Sequence, residues 1–151
     1  MVVERDPTYV RASSFLAMGG IRQQFSSAVN IQLAQYSTRF YAEFDRALRV
    51  PGHVPHTNFR QRGYLFLVDD GMADRFEARV ERQRRLGAHV ERLTLDQLRA
   101  LVPGVRLDDI RFGVFGPDDG YCEPREVLAG VRAAAAAEGA EDITAEVVDP
   151  T

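Results

Sequence analysis

Gly19-Gly20-Ile21-Arg22-Gln23-Gln24-Phe25-Ser26 sits where the sequence changes character. Before it, from Thr8 onward, the apolar residues follow neither a helical nor a strand period. A loop of that length is usually functional or disordered. Phe15, Leu16, Met18, Ile21 and Phe25 are too apolar a set for disorder. The run also carries Ser13-Ser14 and Gly19-Gly20. Glycine lets the backbone come close to a flat or phosphorylated ligand, and serine hydroxyls can bond phosphate oxygens. An ordinary turn-rich loop has the same composition, so the loop alone does not choose between the two.

Outward from this stretch the elements alternate. Upstream, Met1-Val2-Val3 predicts a short strand that Glu4-Arg5-Asp6-Pro7 stops, and a strand so bare suggests a missing strand before it. Downstream, Ser26 or Ser27 can cap a helix. Leu33, Tyr36, Phe40, Phe44 and Leu48 then recur at spacings of three and four, as on one helical face. Pro51-Gly52 ends that helix. Phe59 to Val68 predicts a strand buried on both sides at its end, and Asp69-Asp70-Gly71 predicts a turn. Met72, Phe76 and Val80 mark a helix to about Leu86, with Gly87 as its left-handed cap. His89 to Leu93 predicts an edge strand. Thr94 and Gln97 have capping-box spacing, and their helix must stop before Pro103. Ile110, Phe112 and Val114 alternate as a strand, followed by a turn at Gly116 to Gly120. Pro124 opens a last helix that ends at Gly139, and Ile143 to Val148 predicts a final strand.

Composition narrows the class. With 151 residues, 45% hydrophobic and 27% charged, the chain is globular, not disordered or fibrous. No apolar run approaches the roughly 18 residues of a membrane span, and no signal peptide is visible, so a soluble, cytoplasmic protein is expected. The single cysteine, Cys122, excludes an internal disulfide and a Cys-rich zinc site. All 19 basic residues are Arg, so lysine Schiff-base chemistry and a lysine P-loop are excluded. The net charge of −3 argues against nucleic acid as a partner, and the Arg-rich segment from Arg79 to Arg92 reads as a solvated face. His53 and His56 lack the further ligands a metal needs, so no metal is expected. Tyr64, Phe66, Phe115 and Tyr121 are core aromatics or the lining of an apolar pocket.

In order along the chain, these segments resemble the D-amino-acid-oxidase superfamily of FAD-dependent oxidoreductases, in the branch that holds glycine and sarcosine oxidases. Val2-Val3-Glu4-Arg5-Asp6 is similar to the second strand of the dinucleotide fold with its acidic residue. Arg11-Ala12-Ser13-Ser14 resembles the Ser/Thr-rich pyrophosphate loop, and Gly19 to Ser26 the segment beside the isoalloxazine ring. Gly116 to Pro124 resembles the turn into a flavin-domain helix, with Glu123 where Asp is usual. The family's G-x-G-x-x-G is absent, so the chain looks like a middle slice of a longer protein.

The resemblance implies an α/β fold: a partial FAD-binding Rossmann-like domain from 1–50 and 122–151, and part of an antiparallel-sheet substrate domain from 51–121. It implies FAD as cofactor and an amine or amino acid as substrate, oxidised at its C–N bond by hydride transfer to flavin N5. It places Glu4 at the ribose with Arg5 beside it, Ser13 and Ser14 at the pyrophosphate, and Gly19, Gly20 and Ile21 at the flavin edge. The backbone at Val147 would meet adenine. Arg22 would either hold charge on the reduced flavin or bind a substrate carboxylate as a fork. The opposing expectation is a truncated, flavin-free remnant or partner-binding module. Unpartnered strands at both ends also imply self-association.

Overall fold

A computed structural model describes residues 1–148. The elements in chain order are β1 (Val2–Glu4), α1 (Ser13–Leu16), β2 (Gly20–Ile21), α2 (Ala28–Ala47), β3 (Arg60–Gln61), β4 (Tyr64–Val68), α3 (Ala73–Arg85), β5 (Glu91–Leu93), α4 (Leu95–Leu101), β6 (Phe112–Gly116), β7 (Gly120–Tyr121), α5 (Pro124–Ala137) and β8 (Asp142–Thr144). The fold class is α/β. The elements gather into two compact units. One takes Met1–Gly20, Tyr41–Phe59 and the described chain from Cys122; the other takes Ile21–Phe40 and Arg60–Tyr121.

In the first unit β1 and β8 pair in parallel, Val3 opposite Ile143 and Glu4 opposite Thr144. Parallel strands need a crossover, and α5 leads directly into β8. Pro124 starts α5 at a position whose amide needs no partner, and Gly139, at φ 87°, follows its end. The face of α5 at Gly130 is tightly packed. A Cβ added there would lie 2.7 Å from Phe44 Cε1 and 3.0 Å from Pro55 Cγ. Asp45 holds the segment after α2 by accepting from Thr57 N and Thr57 Oγ1, at 3.0 and 2.7 Å.

The second unit is built on an antiparallel sheet in the order β4-β6-β5, with β6 central. Val68 pairs with Phe112 and Phe66 with Val114. Central β6 is almost wholly buried, as its apolar alternation requires, and each such side chain contributes roughly 1.5–3 kcal/mol of burial. Phe112 and Val114 form one core with Ile31, Val68, Val80 and Val90. On a second cluster, Leu93, Leu98 and Leu107 meet. The capping box is present: Thr94 Oγ1 accepts from Gln97 N, and Gln97 Oε1 accepts from Thr94 N. A smaller sheet runs β2-β7-β3.

Four sequence expectations change. The stretch from Thr8 to Phe25, expected to follow neither helical nor strand period, holds the short elements α1 and β2. Of the expected stripe on α2, Leu33 and Tyr36 are 59% and 64% exposed, while Phe44 is fully buried and Phe40 and Leu48 are half-buried. In the first half of α2 the buried residues are instead Ile31, Ala34 and Thr38, two of them small or polar, which gave a weaker signal. The predicted strand from Phe59 is two strands, because Gly63 adopts φ 82° beneath the Phe115 ring and breaks the extension. Leu67 is exposed rather than buried. The last strand stops at Thr144, so Val147 and Val148 lie beyond it and are exposed. The end of the chain, Asp149-Pro150-Thr151, lies outside the described residues.

Candidate functional site

Ile21 to Ser26 leaves β2 and enters the second unit's core without regular hydrogen-bonded structure. Asp119 fixes it. This carboxylate is 1% exposed, and it accepts from Gln23 N at 2.7 Å and from Gln24 Nε2 at 3.1 Å. Gly116 leaves it room, since a Cβ there would sit 2.5 Å from Asp119 Oδ2. Burial pushes the Asp119 carboxyl above the usual carboxylate range, against the lowering effect of those two hydrogen bonds. Gln24 Nε2 also donates to Tyr64 O at 2.8 Å, and so ties the segment to β4.

With its backbone so held, Arg22 turns its guanidinium among aromatic faces. Its Cζ lies 5.0 Å from the Phe25 ring centre and 5.5 Å from those of Tyr64 and Phe66. Such contacts each contribute about 0.5–2 kcal/mol and keep a cation in place without neutralising it. Arg22 borders a recess of about 180 Å³ whose other walls include Gln24, Phe66, Phe76, Arg79 and Gln83. No carboxylate lines it. Gln83 comes from α3, one turn beyond Val80 on the same buried face, and its Nε2 donates to Phe25 O at 2.8 Å. Arg22 Nε is buried with no hydrogen-bond partner. A half-buried guanidinium whose Nε has no hydrogen-bond partner, in an aromatic-walled recess, suits an anionic ligand, and a carboxylate matches its planar fork.

The other expected residues lie mainly in the first unit. Glu4 ends β1, and its Oε1 accepts from Asp6 N at 2.8 Å. Arg5 pairs with Glu146 at 3.3 Å, on the surface. Glu4 O accepts from Ala145 N at 3.2 Å, so Glu4, Arg5 and the chain leading to Val147 run side by side. Ser13 and Ser14 open α1. Gly19 has a structural reason to be glycine: at φ 74° a Cβ would overlap the Cys122 carbonyl. Its own carbonyl accepts from Cys122 N at 2.9 Å. Gly20 has open space around it. Ile21, the other half of β2, is half-buried in the second unit.

Of the four aromatics read as a pocket lining, Phe66 lines the Arg22 recess and Tyr64 faces Arg22. Phe115 lines a separate concavity with Leu93 and Leu101, and Tyr121 is 49% exposed. Cys122 is buried, which pushes its thiol up. Among the described residues no three His, Cys, Asp or Glu side chains gather as a metal site. Among the described residues no helix is long and apolar enough to cross a membrane. Sequence reasoning missed Gln24, Arg79 and Gln83. A polar residue continuing the Met72, Phe76, Val80 stripe was the available signal for Gln83.

A family model described as FAD dependent oxidoreductase matches residues 1–150. FAD-dependent oxidoreductase domain-containing protein 1 of Xenopus laevis is 36% identical over 151 residues, which are 99% of this chain and 30% of that protein. The chain thus spans less than a third of that relative's length. The L-proline dehydrogenase structure from P. horikoshii superposes with a TM-score of 0.76 at 26% identity, over 87% of this chain and 33% of that one. A glycine oxidase structure from Geobacillus kaustophilus gives 0.73 at 22% identity, over 86% and 36%, a likeness of fold.

Proposed function

The chain belongs to the family of FAD-dependent oxidoreductases, and we propose that the whole protein oxidises the C–N bond of a small amino or imino acid. The observation that carries this is the recess at Arg22, which offers a half-buried guanidinium on aromatic walls and no carboxylate in its lining. Arg22 binds the substrate carboxylate there. Phe66 and Phe76, with ring centres 5.6 Å apart, exclude water from the carbon chain. Two similar structures are by name an L-proline dehydrogenase and a glycine oxidase, and a recess of this volume suits ligands of that size.

FAD is the family's cofactor, and the first unit offers groups that fit it. Glu4 stands at the carboxyl end of a parallel strand, where open α/β sheets bind nucleotides. One of its oxygens serves Asp6 N, and the other is available to ribose hydroxyls. Ser13 and Ser14 supply hydroxyls for phosphate oxygens, with Arg5, Gly19, Gly20 and Val147 on the same unit. When bound, FAD supplies the acceptor for the hydride equivalent leaving the carbon beside nitrogen. We assign cofactor binding to the first unit and substrate binding to the second.

The test is an anaerobic titration of the yellow whole protein with a panel of amino acids, followed by flavin absorbance. Bleaching by small amino or imino acids, and not by the corresponding carboxylic acids, is the expected result. A protein that binds no FAD, or whose flavin no member of the panel reduces, refutes the reading.

A further inference from the structure

Arg22 Nε is one of three buried polar atoms without a hydrogen-bond partner in this part of the molecule; the others are Gln24 Oε1 and Gln83 Oε1. All three residues line the one recess. Neither carboxamide is free to turn over. Gln83 Nε2 is committed to Phe25 O at 2.8 Å. Gln24 Nε2 is committed to Tyr64 O at 2.8 Å and Asp119 Oδ2 at 3.1 Å. Reversing either amide would set a carbonyl oxygen against an acceptor. The oxygens are therefore fixed as acceptors. Gln24 is 8% exposed and Gln83 is 3% exposed.

Burying an unmatched acceptor is unfavourable, and native proteins leave few of them. Here two belong to side chains that line a single recess of about 180 Å³. Beside them stand two guanidinium groups, Arg22 and Arg79, the latter with Cζ 5.1 Å from the Phe76 ring centre. The ligand that complements this set carries an anionic group for the cations and an N–H or O–H for the carbonyl oxygens. A plain carboxylic acid satisfies only the first requirement.

We propose that Gln83, with Gln24, determines specificity in this recess: their free Oε1 atoms accept hydrogen bonds from an N–H or O–H on a small carboxylate held at Arg22. This rests on the assignment of Arg22 to the substrate carboxylate, and it adds how an amino acid is told from an acid of the same shape. Gln83 does so from α3, a helix that contributes to the recess only through its buried face.

The test measures direct binding of three small probes to the full chain by calorimetry. Propionate and glycolate have equal charge and nearly equal shape, and only glycolate has an O–H; glycine adds an ammonium group. Glycolate and glycine should bind roughly fivefold more tightly than propionate, about what one net hydrogen bond contributes. In Gln83→Met the glycolate-to-propionate ratio should fall to about one, and in Arg22→Ala all three should weaken together. Should Gln83→Met not fold, as judged by circular dichroism, Gln83→Glu decides. It keeps acceptor oxygens and adds charge, so glycine should gain on propionate. An unchanged ratio in a folded Gln83→Met overturns the proposal. So does equal binding of glycolate and propionate to the parent chain. In either case, if Arg22→Ala still weakens every probe, the Arg22 assignment survives. If no probe binds, or Arg22→Ala changes nothing, both readings fail.

Discussion

Asp119→Ala removes the group that shapes the segment carrying Arg22. The carboxylate accepts two hydrogen bonds, from Gln23 N at 2.7 Å and Gln24 Nε2 at 3.1 Å. Bonds to a charged acceptor contribute roughly 1.5–3 kcal/mol each. Gln24 Nε2 keeps Tyr64 O as a partner, but Gln23 N is left buried and unpaired. Against this loss, alanine removes the unfavourable burial of a carboxylate, the largest influence on its pKa. The net expectation is a loss of about 3 kcal/mol, which lowers Tm by roughly 6–12 °C in a chain of this size. Asp119→Asn, which retains one acceptor but faces Gln24 with a second donor, should lose about half as much. The pH dependence has a definite sign. The folded-state pKa is raised above the ordinary value of 3.8, so the stability linked to Asp119 is fully present below that value. It is lost as pH rises through the folded pKa, and the unfolded state is favoured by the ionised form. The stability of the parent chain relative to Asp119→Asn should therefore be greatest in acid and shrink toward neutral pH. Differential scanning calorimetry of the three proteins across that range is the assay. An alanine variant within about 0.5 kcal/mol of the parent would show that Gln23 and Gln24 are held by something else.

Gly130→Ala should destabilise the chain by about 1–3 kcal/mol in denaturant melts, since its Cβ would press on Phe44 and Pro55. Arg22→Ala in the flavin-loaded whole protein should raise KM for the amino-acid substrate by roughly 100-fold, and Arg22→Lys by less, with the flavin potential little changed. A changed potential with unchanged KM would move Arg22 to the flavin instead. The 151-residue chain made alone should associate, because the β1 and β8 pair is short and leaves Val2 and Ile143 41% and 39% exposed. A monodisperse monomer in light scattering would contradict this.

The elements legible in the sequence were those whose signal is local. Thr94 and Gln97 close a capping box, Pro124 begins a helix, and Gly87 and Gly139 take positive φ after theirs, because backbone chemistry a few residues apart decides each. The faces were less legible. In α2 the stripe was right at Phe44, which is buried, but in the first half the bulky Leu33 and Tyr36 drew the periodicity while Ile31, Ala34 and Thr38 are the buried residues. Periodicity weighs size and apolarity, whereas burial depends on what lies opposite. The recess was legible least of all. Arg22 could be singled out by its place in a glycine-rich stretch, but Gln83 reaches the same recess from 61 positions on along the chain, and Asp119, 97 positions on, holds the backbone beside it. Nothing local distinguishes a glutamine whose amide nitrogen alone is satisfied. That condition arises only when the fold brings Phe25 O to one end of Gln83 and no partner to the other. The same convergence explains why a carboxylate as costly as buried Asp119 belongs in this fold. It fixes the backbone at Gln23 and the amide of Gln24 at once, and so sets both the direction of Arg22 and the orientation of an acceptor beside it.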